Sequence, residues 1–183
     1  MNIALFCTAT ETTPPSGNII HAPLWLTYHI ANGLVKKKHN VSLFAIKGSK
    51  SKASIVYSEL TNWPKNRTSK ELLKKGRVLS NRRVSILNDQ TSVLPAFADN
   101  NFDIIHAHTE LVLPLAALSS NPTLITYHSS YDEYYNKLFR YYQKKYPNIF
   151  FNALSTMHSQ QAKSIAFTDI VYNGTDLGKF RFN

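Results

Sequence analysis

Three histidines are the groups in this sequence best suited to chemistry near neutral pH. His106 and His108 lie one residue apart in Phe102-Asp103-Ile104-Ile105-His106-Ala107-His108-Thr109-Glu110, and His128 lies in Thr126-Tyr127-His128-Ser129. An imidazole can ligate a metal, move a proton or hydrogen-bond a ligand. Residues two apart in a strand point to the same face, so His106 and His108 should share one. Together with His128 they would supply the three imidazoles of a zinc site. No His-Glu-x-x-His helix, cysteine cluster or clearly placed carboxylate accompanies them, and neither a metal nor a cofactor is expected. No Gly-x-Ser-x-Gly elbow precedes a helix, and the single Cys7 falls inside an apolar run, which argues against a nucleophilic triad. The loop after that run holds Gly17 as its only glycine, so the Gly-x-Gly-x-x-Gly dinucleotide fingerprint is missing.

The elements that must position these groups alternate along the chain. Apolar runs of strand length occur at 2–7 and 41–46, and Leu24, Thr27, Ala31, Leu34 and Val35 repeat between them at helical spacing. Lys36-Lys37-Lys38 suits a helix C-terminus, and the unit reads as strand, crossover helix, parallel strand. A strand is placed at 55–58 and a short helix at 70–75, capped by Ser69 and closed by Gly76. A further helix is placed over 84–98. From 102 onward the spacing predicts strands at 102–108, 123–129, 148–154 and 169–173. Helices separate them at 111–120, 131–146 and 156–165, the last starting after Ser155. Continuous apolar strands alternating with helices predict a Rossmann-like, doubly wound α/β domain with a mainly parallel sheet. In such a sheet, ligands bind beyond the carboxyl ends of the strands. The polar residues gather there: Ser16, Gly17 and Asn18, then His106 and His108, then Tyr127, His128 and Ser129, then Ser155 and Thr156, then Asn173 and Gly174.

Composition sets the outer bounds. The chain has 183 residues, 43% of them hydrophobic and 17% charged, enough for one domain with a good core. No apolar run is long enough to span a bilayer, and the N-terminus reads as a first strand and not as a signal peptide. One cysteine cannot form an internal disulfide, which points to a cytoplasmic setting. The net charge of +10 is concentrated: residues 36–83 hold 14 Lys/Arg against Glu59 and Glu71. A block of this kind attracts an anionic partner, such as the inner face of a membrane, or remains a solvated loop.

In order and spacing, these motifs resemble the N-terminal domain of GT-B glycosyltransferases, in particular the large retaining family 4. The opening strand, the Pro- and Gly-containing loop and the helix that ends before a Gly-His-x-Val-like step correspond to residues 3–20 and 34–46, with Lys38-His39-Asn40 standing where the family has the Gly-His step. Asp103-Ile104-Ile105-His106-Ala107-His108, Thr126-Tyr127-His128 and Ala153-Leu154-Ser155 match three strand exits. The stretch Ile170-Val171-Tyr172-Asn173-Gly174-Thr175-Asp176-Leu177-Gly178-Lys179-Phe180 matches the segment that leads toward a second domain. The resemblance implies a two-domain enzyme with its active site between two Rossmann-like halves. Residues 1–183 would form the acceptor-side half, inactive alone, and the nucleotide-sugar-binding half would lie outside this chain.

On that resemblance His128 is the catalytic candidate, near the donor sugar and the reacting centre. Ser16, Gly17, Asn18, His106, His108, Tyr127, Ser129, Asn173 and Gly174 are candidates for substrate or donor contact. Gly17 and Asn18 would approach the donor diphosphate, Asn173-Gly174 would form a tight turn, and Asp176 would cap a short helix. The expected partners are a nucleotide-sugar donor and a carbohydrate, lipid or small-molecule acceptor, with no nucleic acid. The basic segment 36–83 would face an anionic membrane or a phosphorylated acceptor. Two other readings are a UDP-sugar epimerase half of the same architecture and a stand-alone binding module.

Overall fold

A computed structural model describes residues 1–17, 19–58 and 63–174, with no side-chain placement for Pro64. Asn18, Glu59 and the Thr175–Phe180 part of the last motif, with Asp176, lie outside the described residues. Among the described residues, seven strands form one sheet in the order β3-β2-β1-β4-β5-β6-β7, and every neighbouring pair is parallel. They are β1 Asn2–Phe6, β2 Asn40–Phe44, β3 Ser54–Val56, β4 Ile104–Ala107, β5 Thr123–Thr126, β6 Ile149–Ala153 and β7 Phe167–Ile170. The helices are α1 Ala22–Lys36, α2 Arg67–Lys74, α3 Val78–Ala98, α4 Leu113–Ala116, α5 Glu133–Lys145 and α6 Thr156–Gln161. The doubly wound α/β architecture read from the sequence is therefore present.

The strand order reverses between β1 and β4. From β1 the chain walks through β2 to β3 on one side, and from β4 it walks through β5 and β6 to β7 on the other. Right-handed crossovers then place the two sets of connecting helices on opposite faces of the sheet. The core divides accordingly. Ile30, Leu34 and Val35 of α1 pack on Ile3, Leu5, Val41 and Leu43. Val93 and Phe97 of α3, Leu113 of α4 and Phe139 of α5 pack on Ala4, Phe6, Ile105, Ala107 and Phe151 on the other side. On the α1 side of β4–β7, alternation leaves His106, Leu124, Thr126 and Asn152. Among the described residues, α1 is the helix that borders this area.

Element boundaries differ from the sequence reading where capping chemistry decided otherwise. Asn66, not Ser69, caps α2, its side chain accepting from the Thr68 amide at 2.8 Å. Ser69 is buried one turn inside the helix and donates to Asn81 Oδ1 at 2.8 Å. Gly76 does close α2, in the left-handed region at φ 68°, and α3 starts soon after it, six residues before the expected 84. The apolar stretch after β4 is a 3-10 turn, Glu110–Val112, followed by the single-turn α4. Asp132 caps α5 and Ser155 caps α6.

Lys38 has an unusual task. It adopts φ 65°, the left-handed conformation that normally selects glycine. Its amide bonds to Val35 O at 2.9 Å, and the His39 amide reaches back to Leu34 O at 3.1 Å, the two bonds of a Schellman closure. Only the side chain at this position is at odds with the geometry. Lys38→Gly is therefore expected to raise stability by about 0.5–1 kcal/mol, read as an increased denaturation midpoint with an unchanged slope.

Candidate functional site

The carboxyl ends of β4, β5 and β6 bring the predicted histidines together. His106, on β4, lies opposite Leu5 of β1 and Leu124 of β5 in the ladder. His108 follows the strand, held by its amide to Phe6 O at 2.8 Å. The ring centroids of His106 and His108 are 4.4 Å apart, and those of His108 and His128 are 5.1 Å apart in a stacked arrangement. His108 Nδ1 and His128 Nε2 are hydrogen-bonded at 2.9 Å. Their nitrogens thus face each other and not a shared ion. Among the described residues, no group of three or more His, Cys, Asp or Glu is arranged to hold a metal.

A polar relay crosses three strands beside this pair. His106 Nε2 meets Thr126 Oγ1 at 2.8 Å, and Thr126 in turn donates to Asn152 Oδ1. The hydroxyl has one proton and gives it to Asn152, so the network assigns the His106 proton to Nε2, with the imidazole as donor. Thr126 and Asn152 are both buried. Neither was among the expected site residues, because each sits inside an apolar strand. Their one signal was a polar residue at an alternating position on a face that sequence alone could not identify.

Two recesses flank the histidines. The larger, about 510 Å³, is lined by Leu26, His29 and Ile30 of α1, by His106, His108, Thr126 and Asn152, and by residues 171–174. Its walls are mostly apolar, with the relay as the polar strip. The smaller, about 210 Å³, is lined by His128, Ser129, Ser130, Ser155 and His158 among others, and is rich in hydroxyls. His158 is fixed on both sides: its Nδ1 accepts from the Leu154 amide at 3.2 Å, and its Nε2 donates to Ser129 O at 3.1 Å. His108 Nε2, buried at the junction, has no hydrogen-bond partner among the described residues.

The remaining sequence candidates divide. Asn173 and Gly174 line the larger recess, but they form no tight turn; Gly174 has no positive φ and its chain runs without assigned secondary structure. Tyr127 is a core residue. Its ring is buried against Tyr131, Tyr135 and Phe139 on the α5 side, because alternation turns it away from Thr126 and His128. Ser16 and Gly17 lie in the loop after β1 and line neither recess. Gly17 has φ 61°, the backbone freedom expected of it. Ser16, however, donates to Glu11 Oε1 at 3.1 Å, and the Thr12 amide and hydroxyl donate to the same oxygen. The loop thus already holds an anion. Burial would raise the Glu11 pKa, but these hydrogen bonds outweigh it and hold the carboxyl below its usual range. The α1 N-terminus, which begins beyond this loop, is capped by His21, whose Nδ1 accepts from the Leu24 amide at 3.4 Å.

Asp89 of α3 anchors the start of the same loop. It is buried and accepts from the Ala9 amide at 2.6 Å and from the Thr8 hydroxyl at 3.1 Å. Desolvation pushes its pKa up to about 6 against the pull of those bonds. Burial likewise pushes the Cys7 thiol up to about 12, leaving it unreactive at neutral pH.

The histidines are held neutral. Desolvation, then the nearby His128, depress the His106 pKa to about 4, and burial with both neighbouring imidazoles holds His108 well below its usual value. His128 is depressed to about 4 by desolvation and by the proximity of His158 and His21. At neutral pH the site therefore offers uncharged donors and acceptors.

A parallel α/β sheet with its polar groups gathered at the carboxyl edge, beside the reversal in strand order, defines a Rossmann-like ligand-binding domain. The sequence matches the family model for Glycosyltransferase Family 4 over residues 25–178, and the chain belongs to that family; it is a glycosyltransferase domain. The match covers β2–β7 and both recesses, while β1 and the Glu11–Gly17 loop precede it. No curated protein matches the sequence.

Two outcomes follow from this geometry. Thr126→Val removes the centre of the relay and leaves the half-buried His106 Nε2–H and the buried Asn152 Oδ1 without their partner. It should cost about 2–4 kcal/mol, whereas Thr126→Ser, which keeps the hydroxyl, should be close to neutral; chemical denaturation distinguishes them. The second outcome concerns pH. The unfolded chain binds protons on His106, His108 and His128 near pH 6.5, whereas in the folded chain His106 and His128 resist them down to about 4 and His108 is held well below its usual value. Stability from these groups is therefore fully present above pH 6.5 and lost as pH falls toward 4, by up to about 1.4 kcal/mol per pH unit for each histidine. Asp89, raised to about 6, contributes with the opposite sign between about 4 and 6, one group against three. Unfolding midpoints measured from pH 8 to 4 should fall on acidification, and His106→Gln should flatten the curve.

Proposed function

We propose that this chain is the acceptor-side half of a retaining glycosyltransferase, moving a hexosyl group from a nucleotide-sugar to a glycan, lipid or small-molecule acceptor. The nucleotide-sugar would be held mainly by a second Rossmann-like half outside these residues. The observation that carries the reading is the neutral His108–His128 pair. It stands at the strand exits between a hydroxyl-rich recess of sugar-ring dimensions and a larger apolar one.

His128, with Ser129, Ser130 and Ser155 around it, offers hydrogen bonds of the kind that sugar hydroxyls complete. With Nε2 engaged by His108, the neutral His128 imidazole keeps Nδ1 to donate or to accept, as its tautomer decides, without setting a fixed charge beside the developing oxocarbenium. Among the described residues that line the two recesses there is no carboxylate, in keeping with front-face transfer, in which the leaving diphosphate takes the acceptor's proton and the protein contributes position and electrostatics. The apolar wall of the larger recess, from Leu26 and Ile30 to Leu124 and Val171, suits the less polar part of an acceptor.

A donor screen on the full-length protein, following release of nucleotide from a panel of nucleotide-sugars, tests this. One donor should turn over, and His128→Ala should lower kcat on the order of a hundredfold with a smaller change in KM. Wild-type rates in the folded His128→Ala protein, or tight ligand binding by the 183-residue chain with no turnover in any longer form, would overturn it.

A further inference from the structure

The α2–α3 hairpin carries a surface that the recesses do not explain. α3 is about 31 Å long for its 21 residues, and it is divided in character. Its second half buries Asn88, Asp89, Ser92, Val93, Ala96 and Phe97, but its first half buries nothing. From residue 65 to 87, Ser69 is the single buried residue. This is nevertheless a built element: Ser69 is bonded to Asn81, and the Arg77 amide reaches Leu72 O at 2.8 Å across the Gly76 closure.

What this element exposes is both basic and apolar. Residues 65–87 contain eight Lys/Arg and one acid, Glu71, a balance of +7. Glu71 is already paired with Arg67 at 2.8 Å. Beside the cations, Leu79 is 75% exposed, Leu87 62%, Val78 59% and Leu73 50%. Helical spacing sets Leu79, Arg83 and Leu87 along one side of α3, with Arg82 next to them, and sets Lys70, Leu73 and Lys74 together on α2. Lysines and arginines alone would suit any polyanion. Large aliphatic side chains among them gain only where hydrocarbon lies just beneath a layer of negative charge. The segment also contains no aromatic residue on which a base could stack.

We propose that the α2–α3 hairpin docks on an anionic membrane surface. Lys70, Lys74, Lys75, Arg82 and Arg83 would meet lipid phosphates, and Leu73, Val78, Leu79 and Leu87 would enter the headgroup–acyl boundary. The described residues contain no helix long and apolar enough to cross a membrane, so this attachment is peripheral. Because the buried half of the same helix holds the β1 loop through Asp89, docking fixes the orientation of the sheet's carboxyl edge relative to the membrane.

Vesicle flotation of the 183-residue chain is the test, with phosphatidylcholine vesicles, phosphatidylcholine–phosphatidylglycerol vesicles and a single-stranded RNA oligomer as competitor. The chain should float with the anionic vesicles only, less so as salt rises. Replacing Lys74, Lys75, Arg82 and Arg83 with Gln should weaken binding by roughly a hundredfold or more, at about fivefold per charge. Leu79→Asn with Leu87→Asn keeps every charge and should still weaken it by roughly tenfold or more. These side chains are exposed, so far-UV circular dichroism should match the parent; if the leucine pair loses helicity, Leu73→Asn on α2 carries the same expectation. Equal binding to both vesicle types, leucine variants that bind as the parent does, or displacement by the RNA at equimolar phosphate would each overturn the proposal.

Discussion

In a parallel sheet whose connections all cross with the same hand, the helices must change face wherever the strand order reverses. Here the reversal falls between β1 and β4, and the rest of the molecule follows from it. α1 covers one face over β1 and β2, while α3, α4 and α5 cover the other. The α1 side of β4–β6 is left to side chains that would otherwise be core. His106, Thr126 and Asn152 occupy core-like positions in their strands and yet border a recess, Thr126 and Asn152 buried and His106 half-buried.

Burial of polar groups at that edge is tolerated because nearly every group has a partner. His106, Thr126 and Asn152 satisfy one another across three strands, and His158 is bonded at both ring nitrogens. Desolvation and the mutual repulsion of neighbouring imidazoles exclude protons from the cluster near neutrality. The result is a site that hydrogen-bonds without carrying charge. His108 Nε2, a buried ring nitrogen, has no hydrogen-bond partner among the described residues.

α3 joins two environments in one rigid rod. Its inner half contributes Val93, Ala96 and Phe97 to the core and holds the first loop through Asp89, while its outer half stands in solvent with cations beside leucines. The overall charge of +10 is largely the charge of this projection and the turns before it. It is separate from the hydroxyl-rich recess, where no formal charge is needed.

The sequence by itself determined the alternation of strands and helices, the parallel sheet, the gathering of His106, His108 and His128 at one edge, and the helix start after Ser155. These follow from local periodicity and short-range hydrogen bonding, which a linear pattern records. It misassigned the cap of α2, because Ser69 and Asn66 are equally good capping residues and only packing against Asn81 chose between them. It placed Tyr127 with the ligand groups, where the pleat turns the ring into the aromatic core, and it read a tight turn at Asn173-Gly174, where the chain is open. Tertiary structure alone decided the partners: the Thr126–Asn152 relay, the Glu11 carboxylate held in the first loop, and the Asp89 anchor each join residues from separate elements. Which polar residue finds which partner depends on the order of strands and the face each side chain meets, and neither quantity is local to the chain.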